Sequence, residues 1–231
     1  MSQAVGGYGF VDRLPLDPVR PGTTVLVAGP LHDGARRVAL SMVAAGEGEG
    51  ESEGENDGTV IVTTSQSADR VVRDCEALGT SFRPGRIGVV DCVSPADRDP
   101  DETSPARVLA VSGPEDLTGI GMRYSKLHQN LLAEGVGRVR SGVLSVSTLL
   151  TLGDVQAVSR FVHTLVGRVG SIDGLGVLLI DPDAVDERVL SNVAQFCDAR
   201  VDVREGDDTP EMRVRGLPGQ SREWTAVELY G

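Results

Sequence analysis

Short apolar runs alternate along the chain with longer segments whose apolar residues recur at helical spacing. The apolar runs predict buried strands at 23–28, 59–64, 86–92, 107–112, 142–147 and 176–181. The segments between them predict one helix that starts after Gly34 and further helices at 68–78, 114–134, 154–169 and 186–197. Beyond residue 200 apolar and polar residues alternate, which is typical of antiparallel edge strands. This order predicts an α/β fold with a doubly wound, mostly parallel sheet flanked by helices and followed by antiparallel C-terminal strands.

Three segments depart from this alternation: an N-terminal arm, an acidic low-complexity stretch and a polar loop, at 1–21, 46–58 and 94–106. Glycines and prolines punctuate the arm, which we expect to be extended and to pack through Phe10 and Leu14. The acidic stretch, GEGEGESEGENDG, is typical of a solvated flexible insertion. We find no linker in the remainder, so residues 22–231 are interpreted as a single domain.

The composition is strongly acidic, with 34 Asp and Glu against 22 Lys and Arg and a formal net charge of −12. Lys126 is the only lysine, and aromatic residues make up 3% of the chain. Many carboxylates and almost no lysine suggest a halophilic archaeon, since a salty cytoplasm screens the repulsion between like charges. A GC-rich genome also depletes lysine, so part of this compositional signal is mutational rather than physical. An acidic surface disfavours broad contacts with nucleic acid or anionic membranes, although a local arginine patch that binds an anionic partner is still compatible with the composition.

Cysteine and histidine show no metal-ligand spacing in this sequence. The three cysteines and three histidines are scattered, and they form neither a C-x-x-C nor a pair with an identifiable nucleophile. We therefore expect free thiols, no metal site and no catalytic triad. No apolar run approaches the length of a transmembrane helix, and no basic-then-apolar leader precedes the first strand. These features predict a cytoplasmic protein without a membrane anchor.

The turn after the first predicted strand holds a motif with a chemical implication. Residues 23–28 form the strand, Gly29 and Gly34 are separated by four residues, and a helix-compatible segment follows. This is the frame of a phosphate-binding P-loop, in which backbone N–H groups and a helix N-terminus hold anionic oxygens. The working motif continues with Lys and then Ser or Thr, where this chain has Ala35 and Arg36. An ordinary strand–turn–helix with two glycines remains an alternative.

Four segments occur in a fixed order: GTTVLVAGP at 22–30, PEDLTGIGMRYSKL at 114–127, RFVHTLVGRV at 160–169 and MRVRG at 212–216. In this order they resemble the core of the RecA-like ATPases, in the KaiC-like branch, and most closely its haloarchaeal members. The resemblance extends from about Gly22 to Leu229, which is nearly the whole chain. It implies a RecA-like fold and a family whose active members use ATP.

The resemblance also implies which groups the family uses on ATP, and this chain lacks them. The P-loop lysine and its hydroxyl neighbour fall on Ala35 and Arg36; an alanine carries no charge, and an arginine has no acceptor atom for a metal ion. The acidic pair that activates water falls on Ser65 and Gln66, and the aspartate that holds Mg²⁺ falls on Ser145. Because phosphoryl transfer depends on these charges, we expect hydrolysis to be lost.

Two further groups of polar residues have competing interpretations. Asp181 follows four apolar residues, but by chain order it belongs to the next strand, so we interpret it as capping a strand end or loop rather than holding a metal. Arg213 and Arg215 resemble the basic pair that KaiC-like subunits extend toward a γ-phosphate bound by a neighbour. Solvated arginines on an edge strand, balanced by Glu211 and Glu223, are the alternative that we favour.

Three functions are compatible with these observations. The first is a non-catalytic regulatory or scaffold protein that binds a protein partner, with an active homologue as one candidate. The second is a sensor that binds ATP weakly, without efficient hydrolysis, through backbone N–H groups and Arg36. We nevertheless expect Arg36 and Arg37 to face solvent. The third and least favoured is an atypical ATPase. A monomer, a dimer and a ring are all compatible with the sequence.

Overall fold

The computed structural model describes residues 6–10, 14–31, 34–44, 57–78, 84–95 and 104–228. Within these ranges nine strands form one sheet: β1 Thr24–Ala28, β2 Asp57–Thr63, β3 Ile87–Asp91, β4 Ala106–Ala110, β5 Arg138–Leu144, β6 Leu175–Ile180, β7 Ala199–Arg204, β8 Glu211–Arg215 and β9 Thr225–Ala226. The α-helices of the same ranges are α1 Gly34–Val43, α2 Ala68–Ala77, α3 Leu117–Ala133, α4 Val146–Leu152, α5 Val155–Ser171 and α6 Glu187–Ala194. A 3-10 turn, Pro182–Ala184, follows β6.

The strands lie in the order β4-β3-β2-β5-β6-β1-β7-β8-β9. Neighbouring strands from β4 to β7 pair in parallel, whereas β8 and β9 are added antiparallel. Helices α1 and α2 cover one face of the sheet, and α3 to α6 cover the other, because apolar side chains alternate between the two faces of each strand. The predicted doubly wound, mostly parallel α/β fold with antiparallel C-terminal strands is confirmed. The prediction is wrong for the strand that begins the tail, because β7 pairs in parallel with β1 inside the sheet and only β8 and β9 are antiparallel.

The strand predicted at 142–147 is wrong at both ends. β5 spans Arg138–Leu144, and the residues after it form α4. Ser145 has a left-handed backbone with φ of 82°, and its hydroxyl accepts a hydrogen bond from the Thr148 N–H at 3.1 Å. This cap starts the helix directly after the strand. An apolar run does not by itself distinguish a strand from a short buried helix, which explains the error.

The described part of the N-terminal arm packs against the amino ends of β5 and β6. Leu14 is buried in the core, and Phe10 packs against the same cluster. Tyr8 is fully buried, and its hydroxyl donates a hydrogen bond to the Asp173 carbonyl oxygen at 3.0 Å. The guanidinium of Arg138 lies 4.2 Å from the centroid of the Tyr8 ring. The arm is therefore fixed at the edge of the sheet opposite to the P-loop.

The acidic stretch predicted at 46–58 ends earlier than expected, because its last two residues begin β2. The Asp57 carboxylate is buried, and it forms ion pairs with Arg138 Nε at 3.2 Å and Arg140 Nε at 3.3 Å. Asp57 therefore belongs to a buried ion pair of the sheet rather than to a solvated insertion.

The polar loop predicted at 94–106 also ends earlier, since Ala106 is the first residue of β4. Residues 96–103 of this loop and 46–56 of the acidic stretch lie outside the described residues. In the part of the chain that the structure describes, no helix combines the length and apolar character needed to cross a membrane.

Candidate functional site

The carboxyl ends of the parallel strands lie at one edge of the sheet, where ligands of open α/β sheets bind. The segments at this edge follow β1, β2, β5, β6 and β7, and they contain Gly29, residues 64–66, Ser145, Asp181 and residues 205–210. The topology therefore brings the P-loop glycines and the positions after β2, β5 and β6 to the same edge, whereas Arg213 and Arg215 lie within β8, beside β7.

The two glycines of the P-loop frame are packed against β7 and the turn after it. A Cβ atom on Gly29 would lie 2.6 Å from the Val203 carbonyl oxygen and 2.9 Å from the Ala35 Cβ. A Cβ atom on Gly34 would overlap the Pro210 ring. The Gly29 N–H donates to the Ile180 carbonyl oxygen at 3.1 Å. Internal packing thus requires glycine at both positions. Residues 32 and 33 of the loop lie outside the described residues.

The two positions after Gly34 both point into the protein. Ala35 is fully buried, and Arg36 is only 7% exposed. The expectation that Arg36 faces solvent is wrong, because the first turn of α1 lies against α2 and the Arg36 Nε lies 3.8 Å from Asp74 Oδ2. Burial lowers the pKa of the Arg36 guanidinium, and the Asp74 charge opposes this shift. Arg37 is exposed, as predicted.

Arg36 lines a cavity of about 740 Å³ at this edge of the sheet. The walls come from the P-loop, from α1, from α2 and the turn before it, and from the β7–β8 turn. The lining residues are Leu31, Gly34, Arg36, Arg37, Leu40, Gln66, Arg70, Asp74, Ala77, Leu78, Glu205, Gly206, Asp208, Thr209 and Pro210. Neither Nε nor Nη2 of Arg36 has a hydrogen-bond partner among the described residues. We call this space the Arg36 cavity.

The two positions of the acidic pair have different environments. Ser65 is exposed, whereas Gln66 is half-buried and lines the Arg36 cavity. The Gln66 Oε1 atom is buried without a hydrogen-bond partner in the described part of the chain. The Gln66 carbonyl oxygen accepts a hydrogen bond from the Thr63 hydroxyl at 2.7 Å, which fixes the turn after β2. The structure therefore brings Gln66 and Arg36 together, and it does not bring Ser65 into the cavity.

Ser145 and Asp181 both have local structural roles. Ser145 is fully buried, and its Oγ lies 2.7 Å from the Thr148 Oγ1 in the cap of α4. β6 separates β5 from β1 in the sheet, and Asp181 follows β6. The Asp181 carboxylate accepts a hydrogen bond from the Asp183 N–H at 3.0 Å and caps the 3-10 turn, as predicted. Within the described ranges no group of His, Cys, Asp and Glu side chains could hold a metal ion.

Arg213 and Arg215 belong to a ladder of charged side chains across β7 and β8. Their guanidinium groups lie 3.3 Å and 2.7 Å from Asp202 Oδ2, while Arg200 lies 2.6 Å from Asp202 Oδ1. The expected balance by Glu211 and Glu223 is therefore wrong for this pair. Sequence analysis missed Asp202, although its alternation with apolar neighbours placed it on the same face of the tail strands.

The ladder continues toward β9 through an aromatic contact. Arg204 forms an ion pair with Glu211 at 2.7 Å. The Trp224 ring contacts both Arg204 and Arg213, whose guanidinium carbons are 4.1 Å and 4.5 Å from its centroid. Stacking of this kind holds guanidinium groups in fixed orientations. We call the side chains of Arg200, Asp202, Arg204, Glu211, Arg213, Arg215 and Trp224 the arginine ladder.

The order of strands and helices matches a known architecture. A KaiC-like protein of the hyperthermophilic archaeon Pyrococcus horikoshii has a similar structure, with a TM-score of 0.59 and 18% sequence identity, over 89% of this chain and 84% of that chain. The chain therefore has the RecA-like fold in its KaiC-like form. The sequence model of a family of unknown function, DUF7504, matches residues 22–203, and the chain belongs to this family. No protein with a curated description matches the sequence.

Proposed function

We propose that this protein is a non-catalytic RecA/KaiC-like module, with a regulatory or scaffold role in the cytoplasm of a halophilic archaeon. The burial of Ala35 carries the proposal, because the position that needs a mobile cation holds a methyl group packed beside Gly29. Phosphoryl transfer is catalysed almost entirely by fixed positive charge and positioning. Arg36 does not replace the lysine, since its guanidinium turns toward Asp74 on α2.

The positions of the other catalytic groups support the same proposal. An amide such as that of Gln66 cannot act as a carboxylate base toward water. The Ser145 hydroxyl is engaged in the cap of α4 and carries no charge for Mg²⁺. In this proposal ATP is not a cofactor. The role of the protein depends instead on the partner that the protein binds.

We place the protein partner on the arginine ladder. The ladder has four guanidinium groups and two carboxylates, so it is a positive surface on a chain whose formal net charge is −12. The Arg215 side chain is 53% exposed, and a second cavity lined by Arg213, Arg215 and Arg222 opens beside it. An acidic protein surface is complementary to this face, and an active homologue is one candidate partner.

The catalytic part of the proposal is tested by phosphate release from ATP with Mg²⁺ in concentrated KCl. We expect the purified protein to release phosphate no faster than an Arg36→Gln variant prepared in parallel. Both preparations should be followed across a size-exclusion peak, so that activity from a contaminant separates from the protein. Turnover that follows the wild-type peak and disappears in Arg36→Gln or Asp181→Ala would show that the protein is an ATPase.

The partner is tested by affinity capture from a high-salt lysate of the native host, followed by quantitative mass spectrometry. We expect an acidic protein to be enriched by the wild-type chain and lost from an Arg213→Gln/Arg215→Gln double variant. Arg188→Gln is the matched control, because it removes an exposed arginine from α6 on another part of the surface. Capture that is equal for all three chains argues against the arginine ladder as the docking face.

A further inference from the structure

We propose that the outer face of α3 is the interface of a weak two-fold dimer between two copies of this chain. The face consists of Glu115, in the turn before the helix, and of Thr118, Met122, Lys126 and Gln129, all of which are exposed. We call these five side chains the α3 stripe. The inference goes beyond the scaffold role and would hold whichever partner the arginine ladder binds.

The centre of the α3 stripe is an apolar side chain that faces solvent. Met122 is 63% exposed, more than any other large hydrophobic residue in the described part of the chain. A shallow groove of about 710 Å³ extends beside it along α3, from Leu117 to Gln129. A Cβ atom on Gly121, which lines this groove, would lie 4.0 Å from the Phe161 ring. The surface next to Met122 therefore leaves room for the side chain of a second helix, and methionine adapts well to such a contact.

The charges of the α3 stripe have no ion-pair partner in the described ranges of the chain. Lys126 is the single lysine of the sequence, and Glu115 lies about three helical turns before it. α3 itself contains no acidic residue, although 34 of the 231 residues of the chain are acidic. Arg123 flanks the stripe and turns toward β4, where its Nε donates to the Ala110 carbonyl oxygen at 3.4 Å. The stripe therefore has one negative end, one positive end and no net charge.

A second copy of the chain, lying antiparallel, is complementary to both ends of the α3 stripe. In a two-fold interface every contact occurs twice. An axis beside Met122 brings the two Met122 side chains together and places Lys126 of each copy near Glu115 of the other copy. Two chains with a formal net charge of −12 repel each other, and they repel least where their surfaces are neutral. An acidic protein or an anionic membrane fits this face less well, because it would repel Glu115.

The position of the α3 stripe agrees with the scaffold role without depending on it. α3 packs on β2, β3 and β4, whereas the arginine ladder lies on β7 and β8 at the other end of the sheet. A dimer through α3 leaves both ladders accessible, so it presents two docking faces for one scaffold. The stripe is roughly 20 Å long, so the interface is small and the dimer is weak and reversible.

The experiment is sedimentation equilibrium of the full chain, in the lowest KCl concentration that keeps it folded by circular dichroism. We expect the average mass to rise from 24.3 kDa toward twice that value as the protein concentration approaches about 1 mM. Met122→Glu should weaken association about tenfold or more, because it places two unpaired carboxylates at the centre of the interface. Leu132→Glu is the matched control, since Leu132 is 51% exposed on α3 beyond the stripe. A chain that stays monomeric, or equal association of both variants, overturns the proposal.

Exchange of the two charges tests the antiparallel arrangement. Glu115→Lys and Lys126→Glu should each weaken association several-fold, because each places like charges opposite one another. The double variant Glu115→Lys/Lys126→Glu should associate as the wild type does, since the attraction is restored with the signs exchanged. A double variant that is no better than the single variants contradicts the pairing. The Arg213→Gln/Arg215→Gln variant should dimerise normally, so failure of the arginine ladder as a docking face leaves this inference intact.

Cross-linking tests the two-fold axis itself. Met122→Cys, oxidised with diamide, should give a disulfide-linked dimer, because residue 122 meets its own copy at the axis. Leu132→Cys and the wild type are the controls, and neither should cross-link to the same extent. A monomeric chain that sediments with phosphatidylglycerol vesicles through Met122 would overturn the dimer and assign the face to a membrane. A monomeric chain whose Met122→Glu variant loses a different protein would likewise overturn it.

Discussion

At the scale of single residues, Gly34 shows how the P-loop frame depends on a distant part of the chain. A Cβ atom at this position would overlap Pro210 of the β7–β8 turn and would lie 3.5 Å from a Val203 methyl group. We therefore expect Gly34→Ala to destabilise the protein by about 1–3 kcal/mol, the usual cost of overpacking. Urea-induced unfolding followed by circular dichroism would measure the change in the free energy of unfolding.

Gly167→Ala is the matched control for this substitution. Gly167 lies in the exposed interior of α5, and a Cβ atom there would meet nothing within 4 Å. Alanine is the better helix former, so we expect the free energy of unfolding of this variant to rise by up to about 1 kcal/mol. If both variants had the same stability, the contact between Gly34 and Pro210 would not matter to the fold.

Sequence reasoning located these residues but not their surroundings. The motif spacing placed Gly29, Gly34, Ala35 and Arg36 correctly at a strand–turn–helix, since local patterns encode such turns. It could not show that Arg36 turns inward, because that direction depends on Asp74, which reaches the site only when α2 packs against α1. Partners that are distant in sequence leave no periodic signal in a single chain.

At the scale of elements, Asp91 joins the end of β3 to the start of α2. Its buried carboxylate accepts hydrogen bonds from the Ala68 N–H at 2.8 Å, from the Val93 N–H at 2.8 Å and from the Ser94 N–H at 2.9 Å. Burial alone would raise the pKa of Asp91, but these hydrogen bonds together outweigh it and lower the pKa. The carboxylate thus joins the end of β3, the start of α2 and the loop after β3.

We expect Asp91→Asn to lower the free energy of unfolding by about 2 kcal/mol or more at neutral pH, because an amide N–H₂ replaces one acceptor oxygen among several donors. A group whose pKa is lowered by folding stabilises the protein above its unfolded pKa, near 3.9, and loses that contribution as the pH falls through its folded pKa. The stability difference between the wild type and the variant should therefore be full at pH 7 and shrink below about pH 4. Urea unfolding at a series of pH values would measure it.

Asp186→Asn is the control at this scale, since Asp186 precedes α6 without a side-chain capping hydrogen bond. We expect a change within about 0.5 kcal/mol, as for an ordinary surface substitution. A difference between wild type and Asp91→Asn that stays constant from pH 7 to pH 3 would contradict the role assigned to the charge of Asp91.

The elements themselves were more predictable than their ends. Apolar runs identified the strands from β1 to β6, because burial on both faces of a strand produces such runs. Helical spacing identified the helices other than α4. The alternation in the tail predicted an antiparallel edge strand at β7, which instead pairs in parallel with β1. The start of β5 was missed, since Arg138 and Arg140 look like surface residues until their ion pairs with Asp57 are seen. α4 was missed because the apolar run of β5 continues directly into it.

At the scale of the whole molecule, the excess of acidic residues predicts a dependence of stability on salt. Like charges repel in the folded chain, and the Debye length falls from about 10 Å at 0.1 M salt to 3 Å at 1 M. We expect the melting temperature to rise by roughly 5 °C or more between dilute buffer and 1 M KCl, which corresponds to about 2 kcal/mol for a chain of this size. Differential scanning calorimetry would record it.

A charge variant distinguishes screening from a general effect of salt on burial. The acidic stretch contributes five glutamates that can be changed to glutamine together: Glu47, Glu49, Glu51, Glu53 and Glu55. Removing five of the 34 acidic side chains lowers the self-repulsion, so the rise in melting temperature with KCl should be smaller in this variant. An equal rise in both chains would indicate that salt acts by strengthening apolar burial rather than by screening. A wild-type melting temperature that is the same in dilute buffer and in 1 M KCl would contradict the interpretation of the chain as adapted to high salt.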